Sequence, residues 1–337
     1  MDSLLRVKGN FRHYTAEASP CSSAPSVMAD EERMGRAEEE LKKEILALKE
    51  KRKAIILAHN YQLGEIQDIA DFVGDSLELS RKASLTDAEV IVFCGVDFMA
   101  ETASILCPDK LVIHPEPLAK CPMAAMITPE KLRKYKENYK GIPVVCYINS
   151  SAGVKAESDV CCTSANAVKV IEAIESESVI FVPDQYLGHY ISRATKKRVI
   201  LYPGYCPTHL RILPERVREL KESFPEAKVV VHPECRPDVI DLADAVLSTS
   251  GFCRYASRED VKGLIVGTEI GIIHRLRKEN PGKLFIPASE QAVCPNMKLI
   301  TLEKVLRSLE TLSPVVSVPE EVRVRALKAV ERMLSLA

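Results

Sequence analysis

The chain has 337 residues, of which 46% are hydrophobic and 28% charged, and its formal net charge is −1. That length can bury a large core in two or three domains. The near-neutral balance excludes a general affinity for nucleic acid or other polyanions, and no apolar run approaches the roughly 18 residues that a membrane span needs. Eleven cysteines, an odd count lying mostly on apolar runs, read as a reduced cytoplasmic protein with some metal-bound thiolates rather than as a disulfide scaffold.

Residues 1–35 are expected to lie outside the fold. Met1 to Val27 is rich in Ser, Ala and Pro, lacks periodicity and has no apolar core of a secretory signal. It reads as a disordered tail, or as the result of an upstream start with Met28 or Met34 as the true one. Asp2 and Glu17 interrupt any transit-peptide pattern. From Arg36 to Lys51 a charged amphipathic helix is expected, with Leu41, Ile45 and Leu48 on one face. Ala54 to Ala58 is a strand ending at His59-Asn60-Tyr61, and Ile66 to Ala70 a short helix. Phe72-Val73 ends at Gly74-Asp75-Ser76, before a helix from Leu77 to Ala83. Val90 to Phe93 is a strand. Asp97 is expected to cap a helix from Phe98 to Leu106. The strand Leu111 to His114 then leads to Cys121-Pro122.

The pattern restarts twice. Pro129-Glu130-Lys131-Leu132-Arg133 opens a helix with proline in its first turn, and Pro214-Glu215-Arg216-Val217-Arg218 does the same 85 residues later. The strands Val144-Val145-Cys146 and Val229-Val230-Val231 keep that spacing. Asp184 and Glu269 stand where Asp97 stood. Strands from Arg198 and from Leu284 lead to Cys206-Pro207 and Cys294-Pro295. Cys121, Cys206 and Cys294 are thus 85 and 88 residues apart. Self-similarity of this period signals internal triplication, and alternating strands and helices signal parallel sheets covered on both faces. The expected fold is α/β: three pseudo-symmetric three-layer αβα domains, each with a small four-stranded parallel sheet, at 36–121, 122–206 and 207–294. A helix from Leu302 to Leu312 and a terminal helix from Val318 to Leu336 fill a C-terminal segment, 295–337, that completes the first domain.

Ligands of parallel sheets bind beyond the carboxyl ends of the strands, which selects three sets of residues. First-strand ends contribute His59-Asn60-Tyr61, Tyr147-Ile148-Asn149 and His232-Pro233-Glu234. Second-strand ends contribute Ser76, Ser164 and Ser248-Thr249, each before a helix. Fourth-strand ends contribute the three cysteines. Hydroxyls and free N–H groups at helix starts suit carboxylate or phosphate, so a small, multiply anionic substrate is expected. Three thiolates fit an iron–sulfur cluster with one iron free of protein ligands, or a metal with an open position. Cys107-Pro108 competes with Cys121 as the first ligand but is out of register. Cys94, Cys146, Cys161 and Cys162 read as inert core residues. His114 and His274 read as ordinary strand-end and helix residues, and Asp97, Asp184 and Glu269 as caps.

Leu57-Ala-His-Asn-Tyr-Gln62, Asp68-Ile-Ala-Asp-Phe-Val-Gly-Asp-Ser76, Gly95-Val-Asp-Phe-Met-Ala-Glu101, His232-Pro-Glu-Cys235, Gly267-Thr-Glu-Ile-Gly271 and Cys294-Pro-Asn-Met-Lys298 closely resemble quinolinate synthases. The resemblance runs from about Leu41 to Leu336. It implies a [4Fe–4S] cluster held by Cys121, Cys206 and Cys294. It implies condensation of iminoaspartate with dihydroxyacetone phosphate to quinolinate in NAD biosynthesis, and coupling to an L-aspartate oxidase or dehydrogenase. Residues implied to surround substrate are His59, Tyr61, Ser76, Tyr147, Asn149, Ser164, His232, Glu234, Ser248 and Thr249. Of these, Glu234 is expected to act as general base and Tyr61 as proton donor, with His59 beside them. Some members carry Cys-x-x-Cys-x-x-Cys near the last ligand, where this chain has Gln291, Cys294 and Met297. Other readings of the same residues are a three-cysteine hydro-lyase acting on a small polycarboxylate, and an iron–sulfur redox sensor.

Overall fold

The computed structural model describes the backbone of residues 27–336 and the side chains from residue 37. The tail expected over Met1 to Val27 therefore falls almost wholly outside the described residues. The chain divides into two compact units, 1–40 and 41–337. What is described of the first is the beginning of helix α1 (Val27–Lys51), which starts earlier than the expected Arg36. Met28, Ala29, Glu31, Glu32 and Met34 are good helix formers, so the segment can continue the helix without an apolar stripe of its own.

The second unit contains three parallel sheets. The first is made by β1 (Ala54–His59), α2 (Gly64–Ile69), β2 (Phe72–Gly74), α3 (Ser76–Leu85), β3 (Val90–Cys94), α4 (Asp97–Leu106) and β4 (Leu111–Ile113). The second follows as α5 (Pro129–Glu137), β5 (Val144–Tyr147), α6 (Ala152–Ala156), β6 (Val160–Cys162), α7 (Ala167–Glu172), β7 (Ser178–Val182), α8 (Gln185–Ala194) and β8 (Arg198–Leu201). The third follows as α9 (Pro214–Ser223), β9 (Lys228–Val231), α10 (Pro237–Ile240), β10 (Ala245–Val246), α11 (Thr249–Ala256), β11 (Gly263–Gly267), α12 (Ile272–Glu279) and β12 (Leu284–Pro287). Each sheet has four strands, in the orders β2-β1-β3-β4, β6-β5-β7-β8 and β10-β9-β11-β12. The first strand is therefore always interior, and its carboxyl end lies beside that of the third.

Period-two patterning decides which face meets which. In β1, Ile55 and Leu57 enter a core shared by all three sheets, while Ile56 and Ala58 face Ile45 of α1 and the C-terminal residues Leu302 and Val305. In β9, Val230 faces the shared core, and Val229 and Val231 pack against Val217 and Leu220 of α9. Both faces are covered, so the strands read as near-continuous apolar runs.

One device holds the edge of each sheet. The carboxylates of Asp71, Asp159 and Asp244 accept from the N–H groups of Ile56, Val144 and Val229, at 2.8, 2.7 and 2.7 Å, and the sequence separation is 15 each time. Each satisfies a donor one residue before pairing with the edge strand begins.

The two C-terminal helices part company. Helix α13 (Leu302–Thr311) joins the first sheet's outer core. Helix α14 (Glu320–Ser335) instead packs against α4, α6 and β6, burying Ala329, Val330 and Met333 in the shared core. Among the described residues no helix is long and apolar enough to cross a membrane.

Candidate active site

The carboxyl ends of the strands surround a cavity of about 240 Å³. Cys121, Cys206 and Cys294 all line it and are each partly exposed. Cys107 does not line it: this thiol is buried and donates to the Ala83 carbonyl at 3.2 Å. Each cavity cysteine is followed by proline and then a single 3₁₀ turn, at Ala124–Met126, His209–Arg211 and Met297–Leu299. The turns aim backbone N–H groups back at sulfur. Cys121 receives Met123 and Ala124, Cys206 receives His209, and Cys294 receives Asn296 and Met297. Burial pushes all three thiols up, and these donors pull the other way. Donors aimed at sulfur stabilise a thiolate, which is the form that binds metal. The Cys206 sulfur, a His209 nitrogen and a Glu234 oxygen also lie within 4.8 Å of one another, close enough to hold a metal ion. The donor set therefore fits a metal cofactor whose binding displaces thiol protons.

The ends of β1 and β9 repeat one local geometry. The Nδ1 atom of His59 accepts from the Tyr61 N–H at 3.1 Å, and that of His232 accepts from the Glu234 N–H at 3.3 Å. Each contact fixes the neutral ring as the Nε2–H tautomer. For His232 that proton meets the Ser164 hydroxyl, at 3.1 Å. Burial, only partly opposed by the nearby Glu234 charge, lowers both rings to about 3.

Glu234 is 3% exposed and sits at the centre of the site. Its Oε1 accepts from the Tyr147 hydroxyl at 2.6 Å and from the Asn149 amide at 3.4 Å. Its Oε2 lies 2.8 Å from His209 Nδ1. Burial alone would raise this carboxyl. His209 and His232, with the Tyr147 hydroxyl, outweigh burial and hold it well below the usual range. The other nitrogen of His209 is 2.9 Å from the Thr268 hydroxyl, and Thr268 in turn bonds the Tyr61 hydroxyl. A continuous path thus runs Tyr61, Thr268, His209, Glu234, Tyr147. Burial, reinforced by the Glu234 charge, raises both tyrosines well above their ordinary value, so both remain proton donors. The site can accept a proton at the His209–Glu234 pair and donate one from either phenol.

The helix starts differ from expectation in part. Ser76, Ser164 and Thr249 line the cavity, but Asp75, not Ser76, caps α3, through a reciprocal capping box with Glu78. Ser248 does not line the cavity. Its hydroxyl caps α11 by accepting from Gly251 N–H and is 3.2 Å from Asp75. It precedes the helix proper, where satisfying the first turn takes precedence. Thr249 is held from behind: its hydroxyl accepts from the Asn60 amide at 2.8 Å, and Asn60 is itself fixed by Arg275 at 2.9 Å. His114 and His274 lie outside, bonded to the Gly95 carbonyl and to Asp68, each at 3.0 Å. Of the three acids expected as caps, Asp184 caps α8. Asp97 stands inside the first turn of α4, and Glu269 lies ahead of α12, which starts from Gly271.

His209, Thr268 and Arg211 were not singled out from the sequence. Their counterparts in the other two loops are apolar or absent, so a search for polar positions shared by three repeats passes over them. Arg211 is the one lysine or arginine lining the cavity among the described residues.

A sequence model of the family described as Quinolinate synthetase A protein matches residues 43–335. The chain belongs to the quinolinate synthetase A family and is an enzyme. Similarity to quinolinate synthases is high along the chain. That of Dehalococcoides mccartyi (strain CBDB1) is 67% identical over 290 residues, covering 86% of this chain and 96% of the relative. That of Methanoregula boonei is 56% identical over 296 residues, covering 88% and 98%. That of Geobacter sp. (strain M21) is 54% identical over 299 residues, covering 89% and 98%. The quinolinate synthetase match spans the three sheets and both C-terminal helices.

Proposed function

We propose that the chain condenses iminoaspartate with dihydroxyacetone phosphate to form quinolinate, phosphate and two waters, as a step of NAD biosynthesis in the cytoplasm. The observation that carries this reading is that three loop cysteines and the Glu234–His209–Tyr61 path line one cavity. Cys121, Cys206 and Cys294 hold a [4Fe–4S] cluster, and the three sheets are pseudo-symmetric copies, with boundaries near 121, 206 and 294, about the axis where those cysteines meet. The shared strand order and the recurrent Asp at a separation of 15 support that arrangement. When bound, the cluster supplies an iron without a protein ligand, a Lewis acid for a substrate oxygen.

The chain's own residues do the rest. Ser76, Ser164 and Asn149 hold substrate carboxylates, while His232, Thr249 and the Arg211 cation hold the phosphate. Forming the carbon–carbon bond and closing the imine require protons to leave carbon and nitrogen and to be returned to departing oxygens. The His209–Glu234 pair takes them, its two groups held 2.8 Å apart. Sequence reasoning put Glu234 in that role, and the structure adds His209 beside it. Tyr61 returns protons, and Thr268 links it to the pair. Neutral His59 contributes a hydrogen-bond donor through Nε2. The product of an L-aspartate oxidase or dehydrogenase is the required imine, so coupling to such an enzyme is expected.

The test is anaerobic purification with iron and sulfide content measured beside an assay using both substrates. Four irons per chain and quinolinate formation support the reading. Iron without quinolinate would move the chain to another hydro-lyase or to a sensor.

A further inference from the structure

An acid follows the third strand of every sheet: Asp97 after β3, Asp184 after β7 and Glu269 after β11. At each of these places a backbone N–H crosses to the loop after the fourth strand. Asp97 N–H donates to Ala119 at 2.9 Å, Gln185 N–H to Gly204 at 2.8 Å and Ile270 N–H to Ala292 at 3.0 Å. Each acceptor lies two residues before a cavity cysteine.

In the first and third sheets a carboxylate adds a second bond, to the cysteine itself. Asp97 Oδ1 accepts from Cys121 N–H, and Glu269 Oε1 from Cys294 N–H, both at 3.1 Å. Glu269 is fully buried, and its charge is matched by Lys298 at 3.0 Å. The second sheet differs. Asp184 turns Oδ1 to the N–H groups of Tyr186 and Leu187, and its Oδ2 is buried without a partner. Cys206 is met at sulfur instead, by His209 Nδ1 at 3.2 Å. Its loop is held by close backbone packing, because a Cβ at Gly204 would collide with the Pro183 carbonyl.

We propose that Asp97 and Glu269 are positioning residues that preset Cys121 and Cys294 for the metal centre, a proposal that rests on the cluster reading above. A charge-assisted bond fixes the cysteine's backbone. Only one torsion then separates backbone from sulfur, and it has three staggered settings. Ordering the loop before loading removes part of the entropy cost of binding. Cys206 lacks such a clamp and takes its direction from His209, a residue that also serves the proton path.

The test compares Asp97→Ala, Glu269→Ala, Asp97→Asn, Glu269→Gln and Asp184→Ala after anaerobic reconstitution. The readouts are iron per chain, the rate of iron release to a chelator, and the Tm of the metal-free protein. Removing a partner of a metal ligand costs about 10–100-fold in metal affinity. The alanine variants at 97 and 269 should release iron at least about tenfold faster than wild type. Asp97→Asn and Glu269→Gln keep an acceptor oxygen and should stay near wild type. Asp184→Ala should lower Tm, through its lost helix cap, without speeding iron release. If an alanine variant does not fold, Asp97→Glu and Glu269→Asp, which displace the oxygen by one methylene, replace it and should also release iron faster. Wild-type release from folded alanine variants, or from the length-changed variants that replace them, at both positions overturns the proposal. A wild-type protein that takes up no iron removes the cluster reading instead, which is a different result.

Discussion

Two sets of cysteines in this chain share a residue type and a burial tendency and have opposite surroundings. Cys94, Cys146, Cys161 and Cys162 sit on strands, fully buried. Burial alone pushes Cys94 up to about 12, and it likewise dominates at Cys162. Cys121, Cys206 and Cys294 sit just past strands, partly exposed, at a cavity wall. Burial raises them as well, but backbone donors are aimed at each sulfur. What sets the cavity cysteines apart from Cys94 and Cys162 is therefore the loop that follows each of them. A strand commits its N–H groups to neighbouring strands, whereas a proline-led 3₁₀ turn leaves them free to face sulfur.

Replacing the two sets tests that contrast most severely. Cys121→Ser, Cys206→Ser and Cys294→Ser should each abolish iron binding and activity. Cys94→Ser should keep full iron content, measured per chain after anaerobic reconstitution, as should Cys107→Ser and Cys253→Ser, two other buried cysteines outside the cavity. Loss of iron in Cys107→Ser with retention in Cys121→Ser would invert the comparison.

The next effect in size separates the cavity's proposed proton path from its proposed metal ligands. Glu234→Gln should retain iron while turnover falls by about 10²–10⁴-fold, read by steady-state kinetics beside iron analysis. Near-normal turnover with iron intact would remove Glu234 from the path and leave His209 or His59 as the base. Thr249→Ala should be milder: one lost hydrogen bond, on the order of 1 kcal/mol, raises KM for dihydroxyacetone phosphate several-fold at nearly constant kcat.

The acid dependence of stability distinguishes the polar wall from the apolar strands. His59 and His232 are lowered from 6.5 to about 3 in the folded protein. Below 6.5 the unfolded chain gains protons that the folded chain refuses, so stability falls with pH across that window. Glu234 adds loss in the same direction below its ordinary value of 4.5, because its folded form is held lower still. The Tm of metal-free protein should therefore drop between about pH 6.5 and 4, and His59→Asn with His232→Asn should flatten the curve. A Tm constant over that range would mean that these rings are already protonated in the fold.

Much of this molecule was legible in one dimension. Apolar runs marked strands in all three sheets, because a strand in a doubly covered parallel sheet must be apolar on both faces. The spacing of 85 and 88 residues picked Cys121, Cys206 and Cys294 from eleven cysteines, and the strand-end rule placed Glu234, Tyr61 and Tyr147 at one cavity. These signals are local or periodic, so sequence by itself was enough to determine them. Tertiary structure decided the rest. His209 and Thr268 join the polar path only because the fold brings them between Glu234 and Tyr61. Ser248 faces its own helix rather than the cavity, a choice made by one side-chain torsion. Whether an acid after the third strand caps a helix, as Asp184 does, or grips a cysteine loop, as Asp97 and Glu269 do, depends on contacts 24 and 25 residues away. Hydrogen bonds between distant segments leave no period in the sequence, and they are what turn a row of cysteines and histidines into one site.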